Sequence, residues 1–349
     1  MKYWNFGIIG TGMIADIHAK AIQGIETATL AGVCGSDPIK AGKFAEKYKA
    51  KAFINYQEML CSGDIDIVTI ATPSGNHMEP VIEAARCGKH VLCEKPMEIS
   101  LERIDKMIDA HEKSGTSLGG IFNYRFNDPV AILKNAIDQG RFGNISYASV
   151  HVPWWRSDEY YSNSWRGTWK LDGGGALMNQ SVHMIDLLQY LMGPVDSLSA
   201  YIATRGHNIE VEDTATAIVK FRNKALGGIY GSTASFPGQY RRIEITGTHG
   251  TVIMVENAFT VWQFADQTEV DSQILNRFKE INGGGGVSDP SAISYLSHQK
   301  NISAFIESIE SGIPFEINGN EARKAVEIVL AIYTSAKEGK QVHFKHDYS

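Results

Sequence analysis

The sequence is poor in cysteine, has no long apolar run and carries no excess of positive charge. Its four cysteines, Cys34, Cys61, Cys87 and Cys93, show no metal-ligand spacing. Reduced, packed thiols are the expectation, with no metal site. Charges or prolines interrupt every apolar run, so none approaches the roughly 20 residues of a membrane-spanning helix. Net charge is −6, which favours neither nucleic acid nor an anionic membrane surface as a partner. The opening Met1-Lys2-Tyr3-Trp4-Asn5-Phe6 runs straight into an apolar segment. It lacks the n-region, h-region and cleavage site of a secretory signal, so a cytoplasmic protein is expected. There is no internal repeat. The one low-complexity stretch, Gly283 to Gly286, reads as a mobile loop.

What is present is an ordinary globular composition. The 349 residues are 43% hydrophobic and 21% charged, and the length suggests two domains. Up to about residue 121, short apolar runs at 6–9, 29–34, 65–71, 89–93 and 117–121 alternate with amphipathic helical stretches at 13–23, 38–48, 77–87 and 101–113. This alternation predicts βαβ units on a parallel sheet. After Asn123 the texture changes. A helix over 128–139 leads into runs rich in Val, Ile, Thr and aromatics at 145–155, 197–204, 214–221, 225–233, 241–246, 251–255 and 258–264. Turn residues separate them, so a mainly antiparallel sheet is expected. Helices are expected over 176–192, 291–311 and 319–338. The fold class is therefore α/β. A parallel-sheet α/β domain spans 1–122, and an α+β domain on the mainly antiparallel sheet spans 123–349.

Gly10-Thr11-Gly12-Met13-Ile14-Ala15 lies between the first strand and the first helix. Gly12 lets backbone approach a pyrophosphate at the helix N-terminus, and Ala15 still allows close helix–strand packing. Gly10, Gly12, Met13 and Ile14 are thus candidate cofactor residues. The acidic residue that usually holds the ribose hydroxyls ends the second strand. Here the chain reads Cys34-Gly35-Ser36-Asp37-Pro38, and Asp37 fits better as a helix cap before a proline. With no carboxylate at position 35, a 2′-phosphate is not repelled, and Ser36 and Lys40 are placed to contact it. NAD or NADP is expected, with a lean to NADP.

Two further segments carry candidate chemistry. Thr72-Pro73-Ser74-Gly75-Asn76-His77 follows the apolar run at 65–71. It is either a plain turn with Asn76 capping a helix, or a loop beside the ribose and nicotinamide that uses Thr72, Pro73 and Asn76. His77 reads as a helix-start residue. Glu94-Lys95-Pro96 follows the run at 89–93, which places Lys95 outside the carboxyl end of a strand, where ligands of such sheets bind. Pro96 biases Lys95 away from helix, and Glu94 is placed to orient its ammonium. The alternative is a surface lysine before a stiffened turn. Farther on, Gly173-Gly174-Gly175 feeds a helix with Asn179 and His183 four residues apart, hence on one face. A histidine satisfied by a helix neighbour is the plainer reading.

The glycine loop, Glu94-Lys95-Pro96 and the helix leading to His183, in this order and spacing, together resemble the glucose–fructose oxidoreductase / inositol dehydrogenase / MocA family. The resemblance spans essentially the whole chain. It implies a Rossmann dinucleotide-binding domain over 1–122, a domain with a large open sheet for substrate binding and oligomerisation over 123–349, and Lys95 and His183 as the catalytic residues around a reacting hydroxyl. It also implies that Trp165 and Arg166 lie near the cofactor and active site, and that Glu94 belongs to the same surround. Many members have Asp four residues before the histidine. This chain has Asn179, as some branches acting on nucleotide-linked amino sugars do. Asn179 is then expected to hold a substrate hydroxyl or ring. Trp154, Arg156 and Tyr161 crowd aromatics and a guanidinium into one stretch suited to a sugar ring and an anion, and Tyr124 joins them as a candidate substrate contact. The expected function is NAD(P)-dependent hydride transfer at a ring carbinol of a sugar, cyclitol or sugar derivative, in a homo-oligomer. The rivals are a glycosidase that retains its cofactor and a non-catalytic sugar sensor.

Overall fold

A computed structural model describes residues 2–162, 165–281 and 294–345, so the glycine run at 283–286 lies outside the described residues. In chain order the elements are β1 (Trp4–Ile9), α1 (Met13–Gln23), β2 (Ala28–Cys34), α2 (Pro38–Tyr48), β3 (Lys51–Phe53), α3 (Tyr56–Cys61), β4 (Ile67–Ile70), α4 (Met78–Arg86), β5 (His90–Cys93), α5 (Leu101–Ser114), β6 (Leu118–Gly120), α6 (Asp128–Asp138), β7 (Ile145–Pro153), α7 (Val182–Met192), β8 (Val195–Ala203), β9 (Thr214–Phe221), β10 (Leu226–Ser232), β11 (Arg242–Gly247), β12 (Gly250–Val255), β13 (Ala258–Phe264), α8 (Glu269–Arg277), α9 (Leu296–Ser311), α10 (Gly319–Glu338) and β14 (Val342–His343). They form two compact units that interleave along the chain. The first holds Met1–Asn123, Lys170–Gly173 and Ile293–Val326, and the second holds Tyr124–Trp169, Gly174–Ala292 and Glu327–Ser349. Among the described residues, no helix is long and apolar enough to cross a membrane.

The first unit is built on a six-stranded sheet in the order β3-β2-β1-β4-β5-β6. Every pairing in it is parallel. A parallel sheet is covered on both faces, and the strand residues Phe6, Ile8, Val33, Ile67, Val68, Ile70, Val91 and Leu92 are all buried. That is why the strands read as continuous apolar runs rather than as alternating ones. The strand order reverses between β1 and β4, and ligands of such sheets bind at that switch point. The loops at the carboxyl ends of β1, β4 and β5 carry Gly10–Gly12, Thr72–Asn76 and Glu94–Lys95. α9 returns to pack on α1.

The second unit holds an eight-stranded sheet in the order β13-β12-β11-β7-β10-β9-β8-β14. Its pairings are antiparallel except for β7 with β10. β9 shows how one face is buried: Ala215, Ala217, Val219 and Phe221 are inside, while Ile218 on the other face is 72% exposed. The covered face packs against α7 and the turn before it. That turn departs from expectation. Residues Ala176–Ser181 wind as a π-helix, and α-helical geometry starts only at Val182. Four other elements, β3, α3, α8 and β14, carry patterns too short or too polar to stand out in the sequence.

Candidate active site

In the first unit the turn after β1 is shaped by its glycines. Gly10 has φ +117, and a Cβ there would stand 2.4 Å from the Ala71 carbonyl oxygen. Gly12 faces open space, since a Cβ there would meet nothing within 4 Å. Gly12 is also the N-cap of α1 and offers no side chain to its first N–H groups. Those groups need acceptors. Exposed backbone at an uncapped helix N-terminus is the geometry that suits a pyrophosphate. Met13 is exposed beside it and Ile14 is half-buried.

The end of β2 follows the sequence reading of Asp37. Its carboxylate caps α2 by accepting the Ile39 and Lys40 N–H groups at 2.9 and 3.1 Å. Ser36 and Lys40 are exposed. A Cβ on Gly35 would come within 2.9 Å of the Thr11 side chain. Gly35 is therefore tied to the phosphate loop, and an acidic residue there requires Thr11 to move.

In the turn after β4, the Thr72 hydroxyl donates to the Asn76 carbonyl at 3.1 Å. The Asn76 side chain makes no cap for α4 and is exposed. His77 at the start of α4 is buried. Its Nδ1 lies 3.1 Å from the Pro96 and Met97 carbonyls, and its Nε2 lies 3.0 Å from the Thr72 carbonyl. This ring ties the loop after β4 to the loop after β5. In the latter the Lys95–Pro96 bond is cis. Glu94 is buried, and its Oε2 accepts the Lys95 backbone N–H at 3.0 Å. Its Oε1 meets His18 Nε2 at 2.8 Å and lies 3.7 Å from His298 Nε2. Burial opposes charge on Glu94, but the hydrogen bond to His18 and the pull of the nearby His298 win and hold its pKa well below the usual carboxylate range.

The second unit collects Tyr124, Trp154, Arg156, Tyr161, Trp165, Arg166, Asn179 and His183. The Arg156 guanidinium donates to Gln180 Oε1 at 2.7 Å and to the Trp155 carbonyl at 2.8 Å. Gln180 in turn donates to Asn179 Oδ1 and to the Tyr160 hydroxyl, both at 2.8 Å. Arg156 and Asn179 are thus joined through one amide. Trp154 is buried, with Arg156 5.1 Å from its ring centroid. Tyr161 donates to Thr233 Oγ1 at 2.9 Å, and Arg166 lies over the Tyr160 ring at 4.1 Å. The π-turn changes the basis for placing Asn179 and His183 together. Its bonding is i→i+5, so a four-residue spacing no longer fixes a common face. His183 stacks on Tyr124, with ring centroids 4.5 Å apart and planes at 28°. Arg241 stands over the same Tyr124 ring at 3.8 Å and pairs with Glu256 at 3.1 Å.

The entry to the histidine helix is held by Glu212, which the sequence did not single out. Three successive N–H groups, which a helix start leaves unsatisfied, end on this residue. Gly175 and Leu177 donate to its carboxyl at 3.0 and 2.9 Å, and Ala176 donates to its carbonyl at 3.0 Å. Tyr333 adds a fourth bond at 2.9 Å. A Cβ on Gly175 would strike the Glu212 carbonyl at 1.8 Å, so the glycine makes this approach possible. Burial pushes the Glu212 carboxyl from its usual 4.5 up to about 7, against the pull of these donors. Folding therefore favours the protonated form. The stability linked to that proton is fully present below pH 4.5 and is lost as pH rises to about 7. Glu212→Gln keeps an acceptor and removes the titration. Its stability relative to wild type should rise between pH 4.5 and 8, by on the order of 3 kcal/mol. Chemical unfolding across that range checks this, and a pH-independent difference would contradict it.

Sequence reasoning missed His18, His298, Glu212, Arg241 and Glu256 because their partners are remote in the chain. The signal present was a polar residue inside an apolar stretch, as at His18 in α1. The sequence also pointed to no metal. Even so, His18, Glu94 and His298 form the one group of metal-capable side chains found among the described residues.

Comparison with known proteins covers both units. Residues 4–120 match the oxidoreductase family with an NAD-binding Rossmann fold, and residues 130–253 match the GFO/IDH/MocA C-terminal domain. A myo-inositol 2-dehydrogenase from Thermotoga maritima is 27% identical over 97% of this chain and 98% of that protein. A glucose-6-phosphate 3-dehydrogenase from Bacillus subtilis is 33% identical over 67% of this chain and 69% of that one. The crystal structure of the WlbA dehydrogenase from Bordetella pertussis, in complex with NADH and UDP-GlcNAcA, superposes with a TM-score of 0.90. It is 32% identical and covers 99% of both chains.

Proposed function

Because the chain belongs to the GFO/IDH/MocA oxidoreductase family and is an NAD(P)-dependent dehydrogenase, we propose that it oxidises a ring hydroxyl of a nucleotide-linked sugar acid. The observation that carries this reading is the full-length likeness to the UDP-GlcNAcA-bound WlbA dehydrogenase. The Arg156 guanidinium of the second unit supports an anionic substrate: it is buried and donates to the Trp155 carbonyl and to the Gln180 amide oxygen. A buried guanidinium suits a carboxylate or phosphate, which it can clamp bidentately.

When bound, the nicotinamide supplies the hydride acceptor. Lys95 takes the proton of the reacting hydroxyl, and His183, backed by Tyr124, orients or relays it. Asn179 holds a substrate hydroxyl or ring. Tyr124, Trp154, Arg156 and Tyr161 complete the substrate contacts. Gly10, Gly12, Met13 and Ile14 take the pyrophosphate. Thr72, Pro73, Asn76, Glu94, Trp165 and Arg166 surround the rest of the cofactor. Ser36 and Lys40 support NADP over NAD, since no carboxylate at position 35 stands against a 2′-phosphate. A panel of UDP-GlcNAcA, myo-inositol and glucose-6-phosphate, each with NAD and NADP, tests this through the absorbance of reduced nicotinamide. UDP-GlcNAcA should give the highest kcat/KM, with NADP ahead of NAD. Faster turnover of a free cyclitol or sugar phosphate would overturn the substrate class, and an NAD preference would overturn the cofactor reading.

We also propose a homo-oligomer. Tyr147, Leu226, Ile218 and Tyr201 share the uncovered face of the second unit's sheet by register. Leu226, Ile218 and Tyr201 are 58%, 72% and 80% exposed. Such apolar patches mark association sites. Sedimentation should show a dimer or larger species that Ile218→Arg weakens. A strictly monomeric wild type at micromolar concentration would contradict this.

A further inference from the structure

Behind Lys95, three elements of the first unit converge on one carboxylate. His18 comes from α1, the helix that opens at the dinucleotide loop. Glu94 ends β5, and His298 comes from α9. All three are buried. The partners define the proton positions. Asn123 Nδ2 lies 3.3 Å from His298 Nδ1. An amide donor there leaves the His298 N–H on Nε2, which stands 3.7 Å from Glu94 Oε1, longer than a hydrogen bond. His18 faces Glu94 through Nε2, while its Nδ1 meets no hydrogen-bond partner among the described residues. The 2.8 Å contact between His18 and Glu94 is a hydrogen-bond spacing. Two ligands of one tetrahedral zinc, bound at 2.0–2.1 Å, stand about 3.3 Å apart. The second oxygen of Glu94 takes the Lys95 N–H.

We propose that His18 and His298 are positioning residues: the His18 hydrogen bond, and the His298 ring set 3.7 Å from the same oxygen, fix the Glu94 carboxylate, and Glu94 fixes the backbone from which Lys95 projects. This rests on the reading of Lys95 as the proton acceptor. The network joins the helix of the phosphate loop to the residue that moves the proton. A buried carboxylate holds its place only while its hydrogen bonds are satisfied. Removing a donor lets Glu94 turn, and Lys95 shifts with it. Misplacement by about 1 Å costs on the order of 100-fold in rate.

The test compares His18→Leu and His298→Leu with His18→Gln and His298→Gln, which keep a donor near Nε2. Each leucine variant should lower kcat about 30- to 100-fold, with KM and the NADH dissociation constant within about threefold of wild type. The glutamines should restore most of kcat. A second readout needs no substrate. Acylation of Lys95 by an amine reagent, followed by mass spectrometry, should change rate in the leucine variants and return toward wild type in the glutamines. Should a leucine variant fail to bind NADH, Asn123→Ala carries the test. It removes only the bond to His298 Nδ1 and should slow kcat about threefold to tenfold. Wild-type kcat and Lys95 labelling in these variants would overturn the proposal. So would a loss confined to KM, or one equivalent of zinc in the purified protein whose removal abolishes activity. If Lys95→Ala instead keeps full turnover while labelling follows the network, the assignment of Lys95 fails and the positioning does not.

Discussion

Lys95→Ala should lower kcat for oxidation about 100- to 10,000-fold, the usual cost of losing a general acid–base. NADH affinity should stay close to wild type. The loop after β1 is shaped by its own backbone, with Gly10 at φ +117 and open space at Gly12. The backbone bond from Lys95 to Glu94 survives the substitution, because it uses the N–H alone. The loss should therefore fall on kcat rather than on cofactor binding. Stopped-flow reduction of cofactor, beside a fluorescence titration with NADH, separates the two. Turnover within a factor of a few of wild type would remove Lys95 from the reaction.

Asp186→Ala should produce the largest loss of stability. Asp186 lies on α7, three residues after His183, and both its oxygens are taken by Arg125 at 2.8 and 2.5 Å. The two side chains are 1% and 2% exposed. Arg125 also stacks on Tyr190, 4.4 Å from the ring centroid. Removing one member of a buried pair costs about 3–5 kcal/mol, because the remaining charge stays out of water without its counter-ion. Replacing both by apolar residues, as in Arg125→Met/Asp186→Leu, should recover most of it. The midpoint of urea unfolding measures both variants. A loss under about 1 kcal/mol for Asp186→Ala would show that the pair contributes little. Arg125 follows Tyr124, the residue that stacks on His183. A surviving Asp186→Ala protein should therefore also lose turnover.

Much of this architecture was legible because local chemistry specified it. The parallel strands of the first unit are buried on both faces and read as apolar runs. Asp37-Pro38 announced a helix start, and the carboxylate does cap it. The Val-, Ile- and Thr-rich runs after residue 140 announced the second sheet. β3 has only three residues, two of them exposed, and left no pattern to find. The π-turn before α7 escaped because its cause is tertiary. Glu212 lies over 30 residues away and gathers the N–H groups of residues 175–177, so the helix start is set by a partner outside the window that periodicity reads. The same holds for the buried triad. His18 looked like one polar residue in an amphipathic helix, and His298 lies more than 200 residues from Glu94. Asp186 stands three residues after His183 on α7, but its carboxylate belongs to Arg125. No feature of one helix could reveal that the pairing crosses to residue 125.

The most direct test of the account is the stoichiometry of a single reaction. Incubation with UDP-GlcNAcA and excess oxidised cofactor should release one equivalent of reduced nicotinamide for each sugar converted. The product should be two hydrogens lighter by mass spectrometry, with the nucleotide still attached. Cleavage of the glycosidic bond with no net reduction and no exchange of bound cofactor would contradict it, and would mark the protein as a cofactor-retaining glycosidase instead.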